Sequence, residues 1–197
     1  MPHMPSPVGQ SPNLQNVIAR FGGTDAACGK PPVHLWNPPF CGEIDMRIGR
    51  NGAWHYLGSP IDRPAMVKLF SNILRREPDG SYVLVTPVEK CRIRVDDAPF
   101  TAVEMTTSGM GDDRLIVFRT NVDDVVPLDR EHPLRIVTNP NTGEPSPYLL
   151  VRDRLEALVA RPVFYQLVDM AEEQSRDGRP VLGVRSAGQF FVLGEAA

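Results

Sequence analysis

Alternation of hydrophobic and polar residues marks the first predicted strand. Ile44, Met46 and Ile48 alternate with polar neighbours, which is the period of a half-buried strand. Asn51-Gly52 follows and favours a tight hairpin turn, because both central positions of such a turn need positive φ. The pattern therefore predicts that the fold opens with a β-hairpin.

A helical stripe comes next along the chain. Hydrophobic residues recur at i, i+3, i+4, i+7 and i+8 from Met66 to Leu74. Asp62 and Pro64 are typical of a helix start, and Asp79-Gly80 marks its predicted end. A second hairpin is predicted between Tyr82 and Val95, and three or four further strands between residues 99 and 138.

The second half of the chain repeats this arrangement. Arg63-Pro64 matches Arg161-Pro162 at a distance of 98 positions, and Asp79-Gly80 matches Asp177-Gly178 at the same distance. Self-similarity at a fixed offset indicates a duplicated unit. The second helix is therefore predicted to run from Arg161-Pro162 to Asp177-Gly178, between hairpins over 148–159 and 181–193.

These patterns predict an α+β fold with two domains. Each domain derives from one hairpin–helix–hairpin unit, with antiparallel sheets each packed by one helix. The predicted bounds are an N-terminal segment over 1–34, partly disordered with a short helix at about 14–22, a first repeat domain over 35–97 and a second over 98–197.

Composition narrows the class of protein. With 42% hydrophobic residues in 197, the chain has enough apolar side chains for a core. It has no run of eighteen apolar residues and no signal-like start, so we expect no membrane span and a cytoplasmic location. The net charge of −3 argues against binding to DNA. Three cysteines without a CxxC motif indicate free thiols.

Few residues carry an obvious chemistry. The histidines have no metal-ligand spacing, so no metal and no cofactor are expected. His55 or Cys41 would be the reactive group if the protein were an enzyme, but a strand histidine and a small core cysteine are the commoner alternatives. Basic residues outnumber acidic ones between Arg47 and Arg94, which favours a local anion site or a charged contact between two halves of opposite sign. The alternative is a solvated surface that is rich in arginine.

Two polar clusters are candidate ligand sites. Thr86, Glu89 and Lys90 lie together with Arg92 at a predicted hairpin tip. Tyr148, Arg152, Glu156 and Arg161 lie together around the hairpin before the second helix. Each cluster could instead be a set of structural ion pairs, which is the more frequent case for charged hairpins.

The motifs as a set resemble a known family. They include Gly52-x-Trp54-x-Tyr56-x-Gly58-Ser59-Pro60, Val85-Thr86-Pro87-Val88-Glu89-Lys90 and Pro147-Tyr148-x-x-Val151-Arg152-x-x-Leu155-Glu156. Together these resemble the bacterial domain-of-unknown-function family twelve-eighty-five (DUF1285). The resemblance implies a duplicated core, a second domain similar to a pleckstrin-homology fold, and a nucleotide-like ligand bound between the domains in a signalling role. The residues that match the family motifs, and that we take as the candidate site, are Trp54, Tyr56, Ser59, Thr86, Glu89, Lys90, Asn121, Tyr148, Arg152 and Glu156.

Three hypotheses follow for function. In the leading one, a non-catalytic regulatory protein binds a small anionic or nucleotide-like ligand in an interdomain cleft. Trp54 or Tyr56 would stack on a ring, and Lys90 and Arg152 would meet the negative charge. The first alternative is a protein–protein interaction module without a small ligand, and the second is an enzyme that uses His55 or Cys41.

Overall fold

The computed structural model describes residues 30–196, so the predicted helix at about 14–22 lies outside the described residues. Within this range the chain forms fifteen β-strands and two α-helices. Contacts divide it into a first unit, residues 30–47 and 55–94, and a second unit, residues 48–54 and 95–196. The prediction of a two-domain protein that combines sheets with two helices is confirmed at this level.

One six-stranded sheet and one helix make up the first unit. The turn between the first two strands of this sheet, residues 48–54, belongs to the second unit. The strand order in the sheet is β3-β2-β1-β6-β5-β4. The elements are β1 (Phe40–Ile48), β2 (Trp54–Tyr56), β3 (Ser59–Pro60), α1 (Pro64–Asn72), β4 (Leu74–Arg76), β5 (Tyr82–Val85) and β6 (Lys90–Val95).

Helix α1 is shorter than its hydrophobic stripe predicts. It begins at Pro64, where the missing N–H costs no hydrogen bond, and ends at Asn72. Leu74, the last residue of the stripe, starts β4 and pairs with Leu84 of β5. The prediction that the helix ends at Asp79-Gly80 is therefore wrong, because these two residues form the turn between β4 and β5. Leu74 is buried as part of a strand. Hydrophobic spacing alone does not distinguish a buried strand residue from a buried residue at the end of a helix.

The predicted turn at Asn51-Gly52 forms, but with another geometry. Of the pair only Gly52 has a positive φ, of 78°. The N–H of Gly49 donates to the carbonyl of Ala53 at 2.9 Å, and the N–H of Ala53 donates to Asn51 Oδ1 at 3.1 Å. The loop is thus longer than a two-residue turn, and the asparagine acts through its side chain rather than through a left-handed backbone.

Two sheets and one helix make up the second unit. The strand orders are β10-β11-β12-β7-β8-β9 in the larger sheet and β13-β14-β15 in the smaller. The elements are β7 (Phe100–Ser108), β8 (Leu115–Thr120), β9 (Val125–Pro127), β10 (Leu134–Thr138), β11 (Pro145–Arg152), β12 (Leu155–Val159), α2 (Arg161–Asp169), β13 (Glu172–Arg176), β14 (Arg179–Ser186) and β15 (Gln189–Glu195).

The larger sheet is mixed rather than antiparallel. Strands β7 to β9 form one antiparallel meander and β10 to β12 another, and the two meanders join through a parallel pair between β12 and β7. The prediction of purely antiparallel sheets is wrong at this pair. Alternation shows which face of a strand is buried but carries no information about the direction of its neighbour.

Helix α2 also ends before the predicted residue. Its buried residues are Val163, Phe164 and Leu167, and it ends at Asp169. The residues that follow, Glu172–Arg176, form the fully exposed strand β13 instead of continuing the helix. Asp177-Gly178 makes the two-residue turn to β14, with φ values of 53° and 76°.

The two sheets of the second unit are tied together by a buried hydrogen bond. Ser186, at the end of β14, accepts a hydrogen bond on its Oγ from the N–H of Ile116 in β8 at 2.9 Å. Both residues are fully buried. The smaller sheet is therefore held to the larger one by a hydrogen bond between a side chain and the backbone as well as by apolar packing.

Candidate functional site

The aromatic candidates lie in and beside the first hairpin. Trp54 is buried, with 2% of its surface exposed, so it is part of the core. Tyr56 is half-buried on β2 and pairs with the exposed Ser59 of β3 across the turn Leu57-Gly58. Of these three side chains, Tyr56 and Ser59 leave surface that a ligand could reach.

Thr86 organises the turn between β5 and β6. Its Oγ1 accepts hydrogen bonds from the N–H groups of Val88 at 3.1 Å and Glu89 at 3.0 Å. The side chain is buried, with 2% exposed. Thr86 therefore stabilises the turn that carries Glu89, and its hydroxyl is already satisfied by backbone donors.

Lys90 belongs to an ion-pair chain of the first unit. Its Nζ lies 3.7 Å from Glu77 Oε2, while Arg75 lies 2.6 Å from Glu77 Oε1. The Nη1 of Arg75 also donates to the carbonyls of Val33 at 2.8 Å and Trp36 at 2.6 Å. These linked ion pairs and hydrogen bonds fix the segment before β1. The ammonium group of Lys90 therefore has a structural partner, Glu77.

Tyr148 and Glu156 meet through Arg135, a residue that no sequence motif marked. Arg135 of β10 donates to both carboxylate oxygens of Glu156, at 2.6 and 2.8 Å, and its guanidinium lies 4.4 Å from the centre of the Tyr148 ring. The hydroxyl of Tyr148 donates to Asp97 Oδ1 at 2.8 Å. Burial and the hydrogen bond to Asp97 both raise the pKa of Tyr148, so the phenol stays protonated at neutral pH.

Arg152 and Asn121 belong to other contacts of the second unit. Arg152 forms an ion pair with Asp124, and its guanidinium lies 4.8 Å from the centre of the Phe100 ring. Asn121 accepts a hydrogen bond from the N–H of Thr101 at 3.0 Å and donates to the carbonyl of Gly52 at 3.2 Å. Both side chains are committed to holding the second unit together, so neither joins Tyr148 and Glu156 in one cluster.

A pocket in the second unit gathers a different set of side chains. It has a volume of about 380 Å³ and lies at the start of α2, against the beginning of β11. Leu158 and Phe164 supply apolar wall, and Tyr165 adds an aromatic side chain of which 57% is exposed. Arg50 and Arg161 supply the positive charge. Asn139, Glu144 and Ser146 are the other polar residues of the lining.

Each arginine of this pocket lies beside an acidic residue. Arg50 Nε lies 3.2 Å from Asp97 Oδ2, and Arg50 Nη2 donates to Ser146 Oγ at 3.3 Å. Arg161 forms an ion pair with Glu144. The arginine side chains are 66% and 65% exposed, so both guanidinium groups reach solvent.

Arg50 links the pocket to the Tyr148 cluster, because Asp97 forms an ion pair with Arg50 and accepts a hydrogen bond from Tyr148. Arg161 is a member of the second predicted cluster, whereas Arg50 stands out in the sequence only as part of a basic stretch. Arg50 and Ser146 lie 96 positions apart, so no local motif could have joined them. The one available signal is the turn glycine Gly52, which marks a loop in contact with another part of the chain.

The predicted reactive groups His55 and Cys41 both lie in the first unit. His55 is half-buried and Cys41 is exposed, and within residues 30–196 neither forms an ion pair or a side-chain hydrogen bond with an acid or a base. The same part of the chain holds no group of three or more histidine, cysteine, aspartate or glutamate residues placed to bind a metal. Over residues 30–196, no helix has the length and apolar character to cross a membrane.

Comparisons with known proteins place the chain in a family. The model described as "Domain of unknown function (DUF1285), N-terminal domain" matches residues 31–98, and that of "Protein of unknown function (DUF1285), C-terminal domain" matches residues 99–193. A search of curated proteins found no match.

Two solved structures are similar to the chain. A DUF1285 family protein from Silicibacter pomeroyi DSS-3 is 52% identical, with a TM-score of 0.79 over 85% of this chain and 89% of that one. A DUF1285 family protein from Shewanella baltica OS155 is 27% identical, with a TM-score of 0.50 over 63% of this chain and 90% of that one. The resemblance of the motifs is thereby confirmed, and the chain belongs to the DUF1285 family.

Proposed function

We propose that this protein binds a small anionic ligand in the pocket at the start of α2. The observation that carries the proposal is the presence of two exposed guanidinium groups, those of Arg50 and Arg161, in one pocket of about 380 Å³. A volume of this order is within the range of small-molecule sites, roughly 300–1,000 Å³.

The existing ion pairs leave room for such a ligand. An exposed pair such as Arg161 with Glu144 contributes only about 0–1 kcal/mol, since water screens it. A carboxylate or phosphate that meets a guanidinium through two parallel hydrogen bonds makes a stronger, charge-assisted contact. A ligand anion therefore displaces Glu144 from Arg161 at little cost, while Arg50, whose side chain is 66% exposed, can meet the anion without leaving Asp97.

The pocket also suits the nucleotide-like part of the hypothesis. Tyr165 is an exposed aromatic side chain on which a base could stack, while Leu158 and Phe164 offer apolar contact beside it. This replaces the proposed stacking role of Trp54, whose surface is almost fully buried. A regulatory, signal-transducing role is part of the same proposal and rests on the family resemblance.

The internal duplication is part of the same proposal. In both units a nine-residue helix that starts at Arg-Pro is followed by an antiparallel meander of three strands, β4-β5-β6 in one and β13-β14-β15 in the other. The fixed offset of the two Arg-Pro and two Asp-Gly pairs supports a common origin. A pleckstrin-homology-like character of the second domain is likewise proposed, from the family resemblance.

Isothermal titration against a panel of anions tests the function. Suitable probes are nucleoside monophosphates, phosphate and small dicarboxylates, with the neutral nucleosides as uncharged references. We expect at least one anion to bind. Arg50→Ala or Arg161→Ala should weaken it roughly tenfold to a hundredfold, which corresponds to the loss of one charged hydrogen bond.

The control variant is Arg130→Ala, which removes an exposed arginine that has no ion pair within residues 30–196. It should leave the affinity unchanged. If no anion binds at millimolar concentration, or if all three variants bind equally, the proposal fails. Recovery of a protein partner whose binding survives Arg50→Ala and Arg161→Ala would then favour the interaction-module alternative.

A further inference from the structure

A second depression of the second unit lies between its two sheets. It encloses about 940 Å³ and runs between β10 of the larger sheet and the β14–β15 hairpin of the smaller. Its apolar lining consists of Ile136 on β10 and Val181, Val192 and Leu193 on the hairpin. The depression, which we call the intersheet groove, is open to solvent, and apart from Gly194 the rest of its lining is polar or charged.

Two arginines stand at one end of the intersheet groove. Arg176 and Arg179 line it and face each other directly across the turn Asp177-Gly178. Like charges in directly opposed positions of a hairpin are destabilising. Asp177 and Glu195 also line the groove, yet within residues 30–196 neither arginine has a carboxylate within 4.0 Å.

Other arginines of the same unit are treated differently. Arg114 and Arg185 both pair with Glu172 on β13, at 3.3 and 3.5 Å. The described part of the unit thus neutralises these arginines on its own but leaves the pair at the groove without a carboxylate in ion-pair range. An anion from outside would be a direct partner for these guanidinium groups, which bind carboxylate and phosphate through paired hydrogen bonds.

The lining of the intersheet groove indicates what shape the anion has. Strands β10 and β15 lie side by side without pairing, and residues of the two come within 8 Å of each other between Cα atoms. The apolar residues Ile136, Val192 and Leu193 lie on these two strands, whereas the arginine pair lies at the β13–β14 turn. This separation of charge from apolar lining suits an alkyl chain that carries its charge at one end.

The geometry points to a site for a single-chain anionic amphiphile, such as a fatty acid. Its carboxylate lies against Arg176 and Arg179, and its alkyl chain lies along Ile136, Val192 and Leu193. The site is separate from the pocket at the start of α2, because the two linings share no residue.

Titration with dodecanoate, kept below its micelle concentration, tests this inference. We expect saturable binding at one site. Octanoate should bind at least tenfold more weakly, because each buried CH₂ group contributes about a fourfold gain when fully buried. The double variant Arg176→Gln/Arg179→Gln should weaken dodecanoate at least tenfold, by loss of the charged hydrogen bonds.

Matched controls distinguish binding in the intersheet groove from binding elsewhere on the protein. Arg130→Gln/Arg154→Gln removes two exposed arginines from elsewhere in the unit and should leave dodecanoate binding unchanged. Arg50→Ala/Arg161→Ala should also leave it unchanged, so failure of the proposed function and failure of this inference give different results.

Two outcomes overturn the inference. One is the absence of saturable dodecanoate binding, or an equal loss in both glutamine double variants. The other concerns the source of the anion: the protein should stay in the supernatant when vesicles of phosphatidylglycerol are sedimented. If it sediments through Arg176 and Arg179 while monomeric dodecanoate does not bind, the site belongs to a lipid surface instead.

Discussion

Asn121 joins two segments of the second unit, and its replacement by alanine measures that role. The substitution removes the acceptor of the Thr101 N–H, now at 3.0 Å, and the donor to the Gly52 carbonyl, now at 3.2 Å. Each hydrogen bond contributes about 0.5–1.5 kcal/mol. The free energy of unfolding should therefore fall by about 2 kcal/mol in Asn121→Ala.

Urea denaturation followed by circular dichroism gives this free energy. The control is Asn141→Ala, which changes an exposed asparagine and should stay within about 0.5 kcal/mol of wild type. Gly52→Ala extends the test, because a Cβ at that position would lie 2.7 Å from Asn121 Nδ2. In the Asn121→Ala background part of this clash disappears, so the two costs should be less than additive. Wild-type stability of Asn121→Ala, or full additivity in the double variant, would refute the reasoning.

Four further predictions concern individual side chains of the described residues. Ser186→Ala removes the acceptor of the buried Ile116 N–H and should cost about 1–3 kcal/mol of unfolding free energy in urea, with faster hydrogen exchange at that amide. Burial raises the pKa of Cys91 from 9.0 to about 11. The stabilising contribution of the protonated thiol is therefore complete below pH 9 and is lost as the pH rises through 11. Denaturation curves should show this fall in the free energy of unfolding for the wild type and not for Cys91→Ala. At pH 8 the exposed Cys41 should react with a thiol reagent in the folded protein while Cys91 should not. Arg75→Ala removes the clamp on the segment before β1 and should lower the melting temperature and increase proteolysis there.

Local sequence signals predicted the elements better than their ends. The Arg-Pro starts of both helices were correct because proline at the first helical position acts through backbone geometry alone. The ends at Asp-Gly were wrong because β4 and β13 follow each helix, and pairing with β5 and β14 rather than local propensity decides those residues. The parallel pair of β12 with β7 depends on the order in which the meanders assemble, which periodicity does not encode.

The candidate pocket depends on contacts that are distant in sequence. Tyr148 and Glu156 could be found together because they lie on neighbouring strands of one hairpin. Arg135 and Arg50 could not, since each reaches its partners from another part of the chain. The charged residues that looked most like a site, such as Arg152, instead complete structural ion pairs.

The most direct test of the proposed function compares an anion with its neutral analogue. Adenosine 5′-monophosphate and adenosine are titrated into the wild type and into Arg50→Ala/Arg161→Ala. If the pocket recognises the negative charge, the monophosphate binds the wild type at least tenfold more tightly than adenosine, and the double variant loses that preference. An equal preference in both proteins, or none in the wild type, would contradict the assignment of this pocket as an anion site.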